Sequence, residues 1–198
     1  GQYQTALILG AETLSKMMDW EDRSTCVLFG DGAGAAIVRN MPDEEGIGIE
    51  SLVQGSDGAK GMVLACKGRP VKNPYVETEE ERMSYVTMDG QEVYKFAVRT
   101  VPKAIKEAVE KAEVTLDDID YFVLHQANIR IIESVAKHLH QPMEKFPTNL
   151  QECGNISAAS VPILLDNINR KGLLKKGDRI VLAGFGAGLT WGAAVLSW

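Results

Sequence analysis

The sequence predicts an α/β fold in which helices cover a mainly central sheet. Segments with the three-and-four spacing of an amphipathic helix alternate with short apolar segments of strand length. The last two strand segments, 179–185 and 190–196, are separated by four residues, which is too short for a crossover helix, so we expect them to pair antiparallel. A length of 198 residues allows one large domain or two small ones.

Two strands are predicted in the first forty residues. The segment 5–9 is apolar on both faces, as in a central strand, which suggests that further sequence precedes it. The segment 29–38 contains G-x-G-x-G, but small and β-branched residues follow where a phosphate-binding helix would begin. Close packing of the backbone is therefore favoured over dinucleotide binding. Residues 41–85 are interpreted as a connection of short strands, a hairpin and surface loops.

From residue 88 onward the pattern becomes helical. An apolar series at helical spacing begins at Val93 and continues to Ala112, and Pro102 within it is expected to kink or divide the helix. Thr115 and Asp118 have the spacing of a capping box that opens a short turn. The elements predicted after this turn are a strand at 119–124, a helix at 128–139, a short strand at 146–148 and a helix at 157–170.

Composition and charge argue against several classes of function. The net charge of −6 argues against non-specific binding to nucleic acid. No uninterrupted apolar run approaches the roughly 20 residues that a membrane-spanning helix needs. Cys26, Cys66 and Cys153 are odd in number and lack C-x-x-C spacing, which favours a reduced cytoplasmic protein and gives no support for a metal site. Each cysteine is interpreted as a small buried or half-buried filler.

His125 and Asn155 are the strongest candidates for a chemical site. His125 ends an apolar run and precedes a helical pattern, and Asn155 follows Gly154 ahead of another helix, so both side chains are placed to reach a cleft. A neutral histidine and an amide are suited to donate hydrogen bonds to one oxygen as it becomes negative, and the glycine-rich segment 186–188 could add backbone N–H groups. The alternative is a structural histidine whose ring is satisfied by backbone groups.

Five segments in order along the chain resemble the β-ketoacyl-acyl-carrier-protein synthase III family, and they are residues 22–25, 29–36, 125–130, 154–162 and 184–192. The resemblance extends from Gly1 to Trp198 and implies a thiolase-like fold. It implies the end of the first repeat in 1–42, connecting strands and loops in 43–87, and the complete second α/β repeat in 88–198. On this basis we expect the chain to be the C-terminal part of a longer enzyme whose N-terminal half lies elsewhere.

The resemblance also implies the roles of individual residues. His125 and Asn155 take two places of a Cys-His-Asn triad, whereas the nucleophilic cysteine of the family belongs to the N-terminal half and matches none of the three cysteines here. The backbone N–H of Ala187 matches the oxyanion hole, at a position where the family usually has glycine. Phe185 matches a residue that lines the pocket, and a core aromatic at a strand end is an equally good interpretation.

Substrate contacts follow from the same resemblance. Arg23 matches a position that packs against the adenine of coenzyme A, and Gly90 and Asn128 match the lining of the pantetheine tunnel. Arg130 matches a positive residue at the tunnel mouth, and Lys137 lies two helical turns further on the same face. Acyl carrier proteins are acidic, so Arg130 and Lys137 are expected to bind them. A second basic series lies at 95, 99, 103 and 106. It is interpreted either as a further surface that attracts the acidic carrier protein or as an ordinary solvated helix face.

The implied reaction is the condensation of an acyl-CoA primer with malonyl-acyl carrier protein to 3-oxoacyl-acyl carrier protein, which starts fatty acid synthesis. Coenzyme A thioester is then a substrate, and neither a cofactor nor a metal is expected. A cytoplasmic homodimer is expected, with no membrane or nucleic acid partner. Two alternatives stay open: a related enzyme of secondary metabolism with another starter acyl group, and a non-catalytic chain that binds carrier protein.

Overall fold

The computed structural model describes residues 3–41, 47–66, 68, 74–75 and 85–198. The strands in these ranges are β1 (Thr5–Thr13), β2 (Asp31–Arg39), β3 (Gly48–Ser56), β4 (Leu64–Cys66), β5 (Val86–Met88), β6 (Tyr121–Leu124), β7 (Arg179–Gly186) and β8 (Thr190–Ser197). The α-helices are α1 (Gly90–Lys111), α2 (Ile129–Leu139), the short α3 (Leu150–Cys153) and α4 (Ser160–Arg170). Short 3-10 helices lie at Leu14–Met17, Gly58–Val63, Leu116–Asp118, Met143–Lys145 and Ser157–Ala159.

A four-stranded sheet forms the centre of the molecule, in the order β3-β8-β7-β6. Strands β6 and β7 are parallel, while β7 with β8 and β8 with β3 are antiparallel. The predicted antiparallel pairing of the last two strands is therefore confirmed. Strands β1 and β2 form a separate antiparallel pair, and β4 and β5 form another.

The two faces of the central sheet bury different side chains because successive residues of a strand point in opposite directions. Phe122 and Leu124 of β6 pack into a core with α1 and α2, whereas Val123 between them packs into a second core with Leu164 and Ile168 of α4. Helix α4 also contacts β2. The layers are thus α1 and α2, the four-stranded sheet, α4, and the β1–β2 pair.

Helix α1 runs as one helix through Pro102, so of the two expected effects of this proline the division is wrong and the kink stays a prediction. Asp89 caps its start, with a carboxylate oxygen 3.1 Å from the N–H groups of Gln91 and Glu92. Its apolar face is fully buried against the sheet. Packing of that face along five turns offsets the one hydrogen bond that the proline removes.

The glycines of the β1–β2 pair let it approach the segment that precedes α4. A Cβ on Gly10 would lie 2.5 Å from the carbonyl oxygen of Ala158, and one on Gly34 would lie 2.9 Å from the ring of Pro162. The interpretation of the glycine motif as close backbone packing is therefore confirmed. Gly30, at the start of the same motif, leaves room for the carbonyl of Cys153.

Strand β1 differs from the central strand that the sequence predicts. Among the described residues its one strand neighbour is β2, and Leu7, Ile8 and Leu9 are 61%, 56% and 66% exposed. The apolar character of both faces is real, but the described part of the chain supplies no second strand and no layer over these side chains.

The segment 146–148 forms no strand, so that prediction is wrong. Phe146 is buried, and its ring stacks on Phe122 with centroids 4.7 Å apart. Pro147 has no N–H to donate to a neighbouring strand. The segment is thus held by the side chain of Phe146 rather than by backbone hydrogen bonds to a neighbouring strand. The capping box at Thr115 and Asp118 is confirmed.

The connection 41–85 contains β3, β4 and the 3-10 helix at Gly58–Val63, and β4 pairs with β5 as a hairpin would. Residues 67–84, which fall within the predicted connection, lie outside the described residues except for 68 and 74–75. The division at 42/43 and 87/88 stays a prediction. Within the described ranges, no helix has the length and apolar character needed to cross a bilayer.

Gly10→Ala should destabilise the protein by about 1–3 kcal/mol, because the added Cβ collides with the backbone of Ala158 and forces the two segments apart. Urea unfolding measures the change. Gly58→Ala is the matched control, since a Cβ there meets nothing within 4 Å and should change stability by less than about 0.5 kcal/mol. Equal stability of the two variants would contradict the close approach of β1 to this segment.

Candidate active site

His125 lies directly after β6, at the edge where the carboxyl ends of β6 and β7 meet. Its N–H donates to the carbonyl of Ala183 in β7 at 2.7 Å, which continues the parallel ladder by one residue. Its own carbonyl accepts from Ala127 at 3.1 Å in the turn that leads to α2. The backbone of His125 is thus fixed on both sides before its ring makes any contact.

Two side chains hold the imidazole ring. Phe185 at the end of β7 meets it edge to face, with centroids 5.3 Å apart and the planes at 75°. On the other side, Nδ1 lies 2.6 Å from the hydroxyl oxygen of Ser160, the first residue of α4. The ring is half-buried, and the Nε2 edge is the one left for a ligand.

Burial lowers the pKa of His125 from 6.5 to about 4, because the surrounding protein disfavours the charged ring. The side chain is therefore neutral throughout the physiological range. A neutral imidazole has one N–H and one bare nitrogen, so it can donate a hydrogen bond without carrying charge.

Asn155 is clamped by its backbone. Its N–H donates to the carbonyl of Leu28 at 3.0 Å, and its carbonyl accepts from Gly30 at 2.9 Å, so that Asn155 and Phe29 form a parallel bridge. The preceding Gly154 has φ of 65°, a left-handed conformation that suits glycine, and lets the chain turn into this bridge.

The amide of Asn155 has a fixed orientation. Its Oδ1 accepts from the N–H of Ser157 at 3.0 Å, in the Asx turn that leads into the next 3-10 helix. The Nδ2 group is therefore the end that is available to donate to a ligand. Ser157 adopts φ of 48°, which is uncommon outside glycine and places it in this tight turn.

A cavity of about 1260 Å³ brings the two residues together, since both His125 and Asn155 line it. Its walls come from the start of α1, the start of α2, the β4–β5 pair, the loop between β7 and β8, and residues near Leu28. Most of its lining is apolar, with a few polar groups among them, as in small-molecule sites of enzymes.

The loop between β7 and β8 forms one wall of the cavity. Phe185, Gly186 and Ala187 line it, and the carbonyl of Ala187 accepts from the hydroxyl of Thr190 at 3.0 Å. Ala187 is not among the non-glycine residues with positive φ in the described ranges. Alanine therefore fits this position without strain and retains its backbone N–H.

The cavity wall includes three further residues that the sequence singles out as site residues. Gly90 opens α1, and Asn128 and Arg130 lie at the start of α2. The oxygen of Asn128 caps α2 by accepting from Arg130 N–H at 2.9 Å, which leaves its Nδ2 group for a ligand. Arg23 and Lys137 do not line the cavity: both are exposed, in the turn at 22–25 and on the third turn of α2.

Cys66 is exposed on β4 and lines the cavity, so its interpretation as a buried filler is wrong; Cys26 and Cys153 are half-buried, as expected. A helix N-terminus is a setting that favours a thiolate, but Cys66 lies in a strand. In the part of the chain that the structure describes, no three side chains of histidine, cysteine, aspartate or glutamate cluster as a metal site.

Of the two residues that hold the imidazole ring, the sequence indicated Phe185 but missed Ser160. Ser160 contacts Nδ1 of His125. Its position in the segment that follows Asn155, three residues after Ser157, is the one local feature that could have drawn attention to it. Phe96 of α1 packs edge to face on both Phe185 and Trp191, with centroids 6.3 and 5.9 Å apart, and so supports the aromatic wall behind the ring. Aromatic residues at these positions read equally well as ordinary core.

Two family models match the chain. The model described as 3-oxoacyl-[acyl-carrier-protein (ACP)] synthase III matches residues 1–58, and the model of its C-terminal part matches residues 109–198. The chain belongs to the 3-oxoacyl-[acyl-carrier-protein] synthase III family. The second match contains His125, Asn155 and the β7–β8 loop, and the first contains the Leu28–Gly30 segment that clamps Asn155.

Known members of the synthase III family resemble the chain along its whole length. The β-ketoacyl-[acyl-carrier-protein] synthase III of Clostridium novyi is 52% identical over 198 residues, which is 100% of this chain and 60% of that protein. The chain thus spans about 60% of the length of such a relative.

Solved structures of the synthase III family show the same thiolase fold. The enzyme of Thermus thermophilus is 46% identical with a TM-score of 0.87, over 98% of this chain and 59% of its own. The priming β-ketosynthase from the R1128 polyketide biosynthetic pathway is 36% identical with a TM-score of 0.86, over 98% and 57%.

Acidification should destabilise the protein through His125. Its ring binds a proton near pH 6.5 when unfolded but only near pH 4 when folded, so stability is complete above pH 6.5 and falls as the pH drops towards 4. The loss is about 3 kcal/mol at most, from 1.36 kcal/mol per pH unit. NMR titration should place the midpoint of the His125 ring near pH 4, and His125→Asn should show a shallower loss of stability over the same range. A midpoint near 6.5 would contradict the buried neutral ring.

Proposed function

We propose that this chain supplies the enolate-stabilising part of a β-ketoacyl-acyl-carrier-protein synthase III. The complete enzyme would condense an acyl-CoA primer with malonyl-acyl carrier protein to 3-oxoacyl-acyl carrier protein and so initiate fatty acid biosynthesis. Membership of the family supports the reaction class. The single observation that carries the proposal is the pair of neutral donors, His125 and Asn155, that face one cavity.

The chemistry of this pair suits decarboxylation of a malonyl thioester. When carbon dioxide leaves, the electrons of the broken C–C bond move onto the thioester, and its oxygen becomes an enolate. His125 Nε2–H and Asn155 Nδ2–H would donate to that oxygen in a largely apolar cavity, where such bonds are strong. Neither donor needs to gain or lose a proton in this step.

The nucleophile of the proposed enzyme is a cysteine in sequence outside residues 1–198, as the family resemblance implies. Its thiolate would attack the acyl-CoA carbonyl and release the coenzyme A thiolate, leaving an acyl-cysteine. The enolate carbon then attacks the acyl carbonyl, the C–C bond forms, and the cysteine thiolate leaves. Malonyl decarboxylation thereby provides the carbon nucleophile without a strong base.

The oxyanion that forms on the acyl carbonyl needs its own donors. We assign the backbone N–H of Ala187 to this role, together with the N–H of the cysteine. Its place in the cavity wall and its unstrained φ support the assignment. Phe185 would line the pocket beside the thiolate, and it holds the imidazole edge to face as well.

Substrate binding completes the proposal. Gly90 and Asn128 would line the tunnel for the pantetheine arm, and their positions in the cavity wall support this. Arg23 would pack on the adenine of coenzyme A outside the cavity. Arg130 and Lys137, both exposed on α2, would bind the acidic carrier protein. Coenzyme A thioester is a substrate here, and the enzyme needs no resident cofactor; a cytoplasmic homodimer rests on the family alone.

An enzyme of secondary metabolism is the second candidate. The likeness to the priming β-ketosynthase of a polyketide pathway favours it, because that protein matches 98% of this chain at a TM-score of 0.86. The donor pair would act in the same way, and the starter acyl group would differ. Steady-state rates with a series of acyl-CoA primers distinguish the two candidates.

His125→Ala and Asn155→Ala should each slow the decarboxylation of malonyl-acyl carrier protein by about 10²–10³-fold in the complete enzyme, because each removes one donor to the enolate oxygen. Transfer of the acyl group to the cysteine should continue, since neither donor acts in that step. Release of labelled carbon dioxide and the mass of the acyl-enzyme measure the two steps separately.

Two exposed positions serve as controls for the donor variants. Asn169→Ala, on α4, and His140→Asn, which keeps a residue tolerant of the left-handed conformation after α2, should retain parental rates. The proposed function is wrong if both donor variants decarboxylate at the parental rate.

Arg130→Glu and Lys137→Glu should each raise the KM for malonyl-acyl carrier protein by about 3- to 10-fold at low salt, because each reverses a charge that attracts the acidic partner. The kcat should change little, and the effect should shrink as salt screens the charges. Lys171→Glu, exposed after α4, makes the same change of net charge elsewhere. An equal rise in KM for that variant would show a general charge effect rather than docking on α2.

A further inference from the structure

Ser160 is the polar partner of His125, and Ser160 itself is fully buried. Its hydroxyl oxygen lies 2.6 Å from His125 Nδ1 and 2.8 Å from the carbonyl oxygen of Ser157. The N–H of Gln126 points at the same oxygen from 3.4 Å. One hydroxyl thus lies between two groups that are able to accept its hydrogen.

The hydroxyl has a single hydrogen, so only one of the two acceptors receives it. If it goes to Ser157, the oxygen can only accept from His125, and the proton of the neutral ring must be on Nδ1. Nε2 is then bare and cannot donate. If the hydrogen goes to Nδ1, the ring proton is on Nε2, which can donate into the cavity.

We propose that Ser160 is a positioning residue that donates its hydroxyl hydrogen to Nδ1 of His125 and thereby holds the ring proton on Nε2, facing the thioester oxygen. This inference rests on the proposed function, because only an enolate-stabilising histidine needs an N–H at Nε2. The shorter of the two contacts is the one to Nδ1. The carbonyl of Ser157 already accepts from the backbone N–H of Ser160, so it does not need the hydroxyl hydrogen, and the N–H of Gln126 donates to the hydroxyl oxygen itself.

The kind of partner at Nδ1 decides the chemistry of the ring. A carboxylate can only accept, so it would fix the proton on Nδ1 and make Nε2 a base, as in Ser-His-Asp triads. The contacts that the structure describes for His125 include no carboxylate, and a hydroxyl is the partner instead. Since burial keeps the ring neutral, its tautomer and not its charge is the property to control.

The position of the proton can be read directly in the complete enzyme. Labelling histidine with ¹⁵N in the ring gives separate signals for a protonated and a bare nitrogen, and His125→Asn identifies the signals of His125. The expected result in the parental protein is a protonated Nε2 and a bare Nδ1. A proton on Nδ1 in the parental protein would overturn the proposal without any Ser160 variant.

Variants test whether the serine causes this state. Ser160→Ala should let the Nδ1–H tautomer appear and lower the kcat of malonyl decarboxylation by about 10- to 100-fold, with an unchanged KM for malonyl-acyl carrier protein. Ser160→Thr restores a hydroxyl and should recover the Nε2–H signal and most of the rate. Ser51→Ala is the matched control: that hydroxyl is also buried and donates to the carbonyl of Ala108 at 2.6 Å, remote from the ring. It should leave the tautomer and the kcat at parental values.

The outcomes separate this inference from the proposed function. If His125→Ala stops decarboxylation while Ser160→Ala retains both the Nε2–H signal and the rate, the function stands and the role of Ser160 is wrong. If His125→Ala itself decarboxylates at the parental rate, the proposed function is wrong. Loss of rate in Ser160→Ala with no change of tautomer would also overturn the role given to Ser160, because it would indicate a merely structural effect.

Discussion

Two backbone hydrogen bonds beside the cavity join distant parts of the chain. The N–H of Asn155 donates to the carbonyl of Leu28, and the N–H of Gly30 donates to the carbonyl of Asn155. They connect the segment before β2 with the segment before α4, and so fix the β1–β2 pair relative to the four-stranded sheet. The glycines around this contact allow the approach, since a Cβ at Gly10 or Gly30 would collide with the opposing backbone. Because the bonds are made by main-chain atoms, the amide of Asn155 is left to face the cavity.

The second donor is held by different means. His125 extends the parallel pairing of β6 with β7, and its ring is fixed by an aromatic edge and a hydroxyl. Ser157 links the two donors, since its N–H bonds to Asn155 and its carbonyl lies beside the hydroxyl of Ser160. Among the described residues, the site therefore contains neutral, pre-positioned dipoles, and no carboxylate contacts the ring. Such a site stabilises negative charge that develops on a bound oxygen, and it is poorly suited to general base catalysis.

The sequence was sufficient for the parts of the fold that depend on local pattern. Strand β6, helices α2 and α4 and the β7–β8 hairpin follow from periodicity, and the box at Thr115 follows from residue chemistry. The strand expected at 146–148 was wrong because Phe146 is held by stacking, which periodicity does not report. For the site, motifs brought His125 and Asn155 together, but the contact with Ser160 depends on how α4 packs against β6. That register is a tertiary property with no local signal.

The clamp on Asn155 joins residues that are separated by most of the chain, whereas His125 is paired with its own neighbouring strand. The imidazole therefore depends on contacts within the central sheet and α4, whereas the backbone of Asn155 depends in addition on the segment that precedes β2. A local opening that separates the β1–β2 pair from the segment before α4 would release the amide while the imidazole stays in place, so the two donors report on different levels of structural integrity.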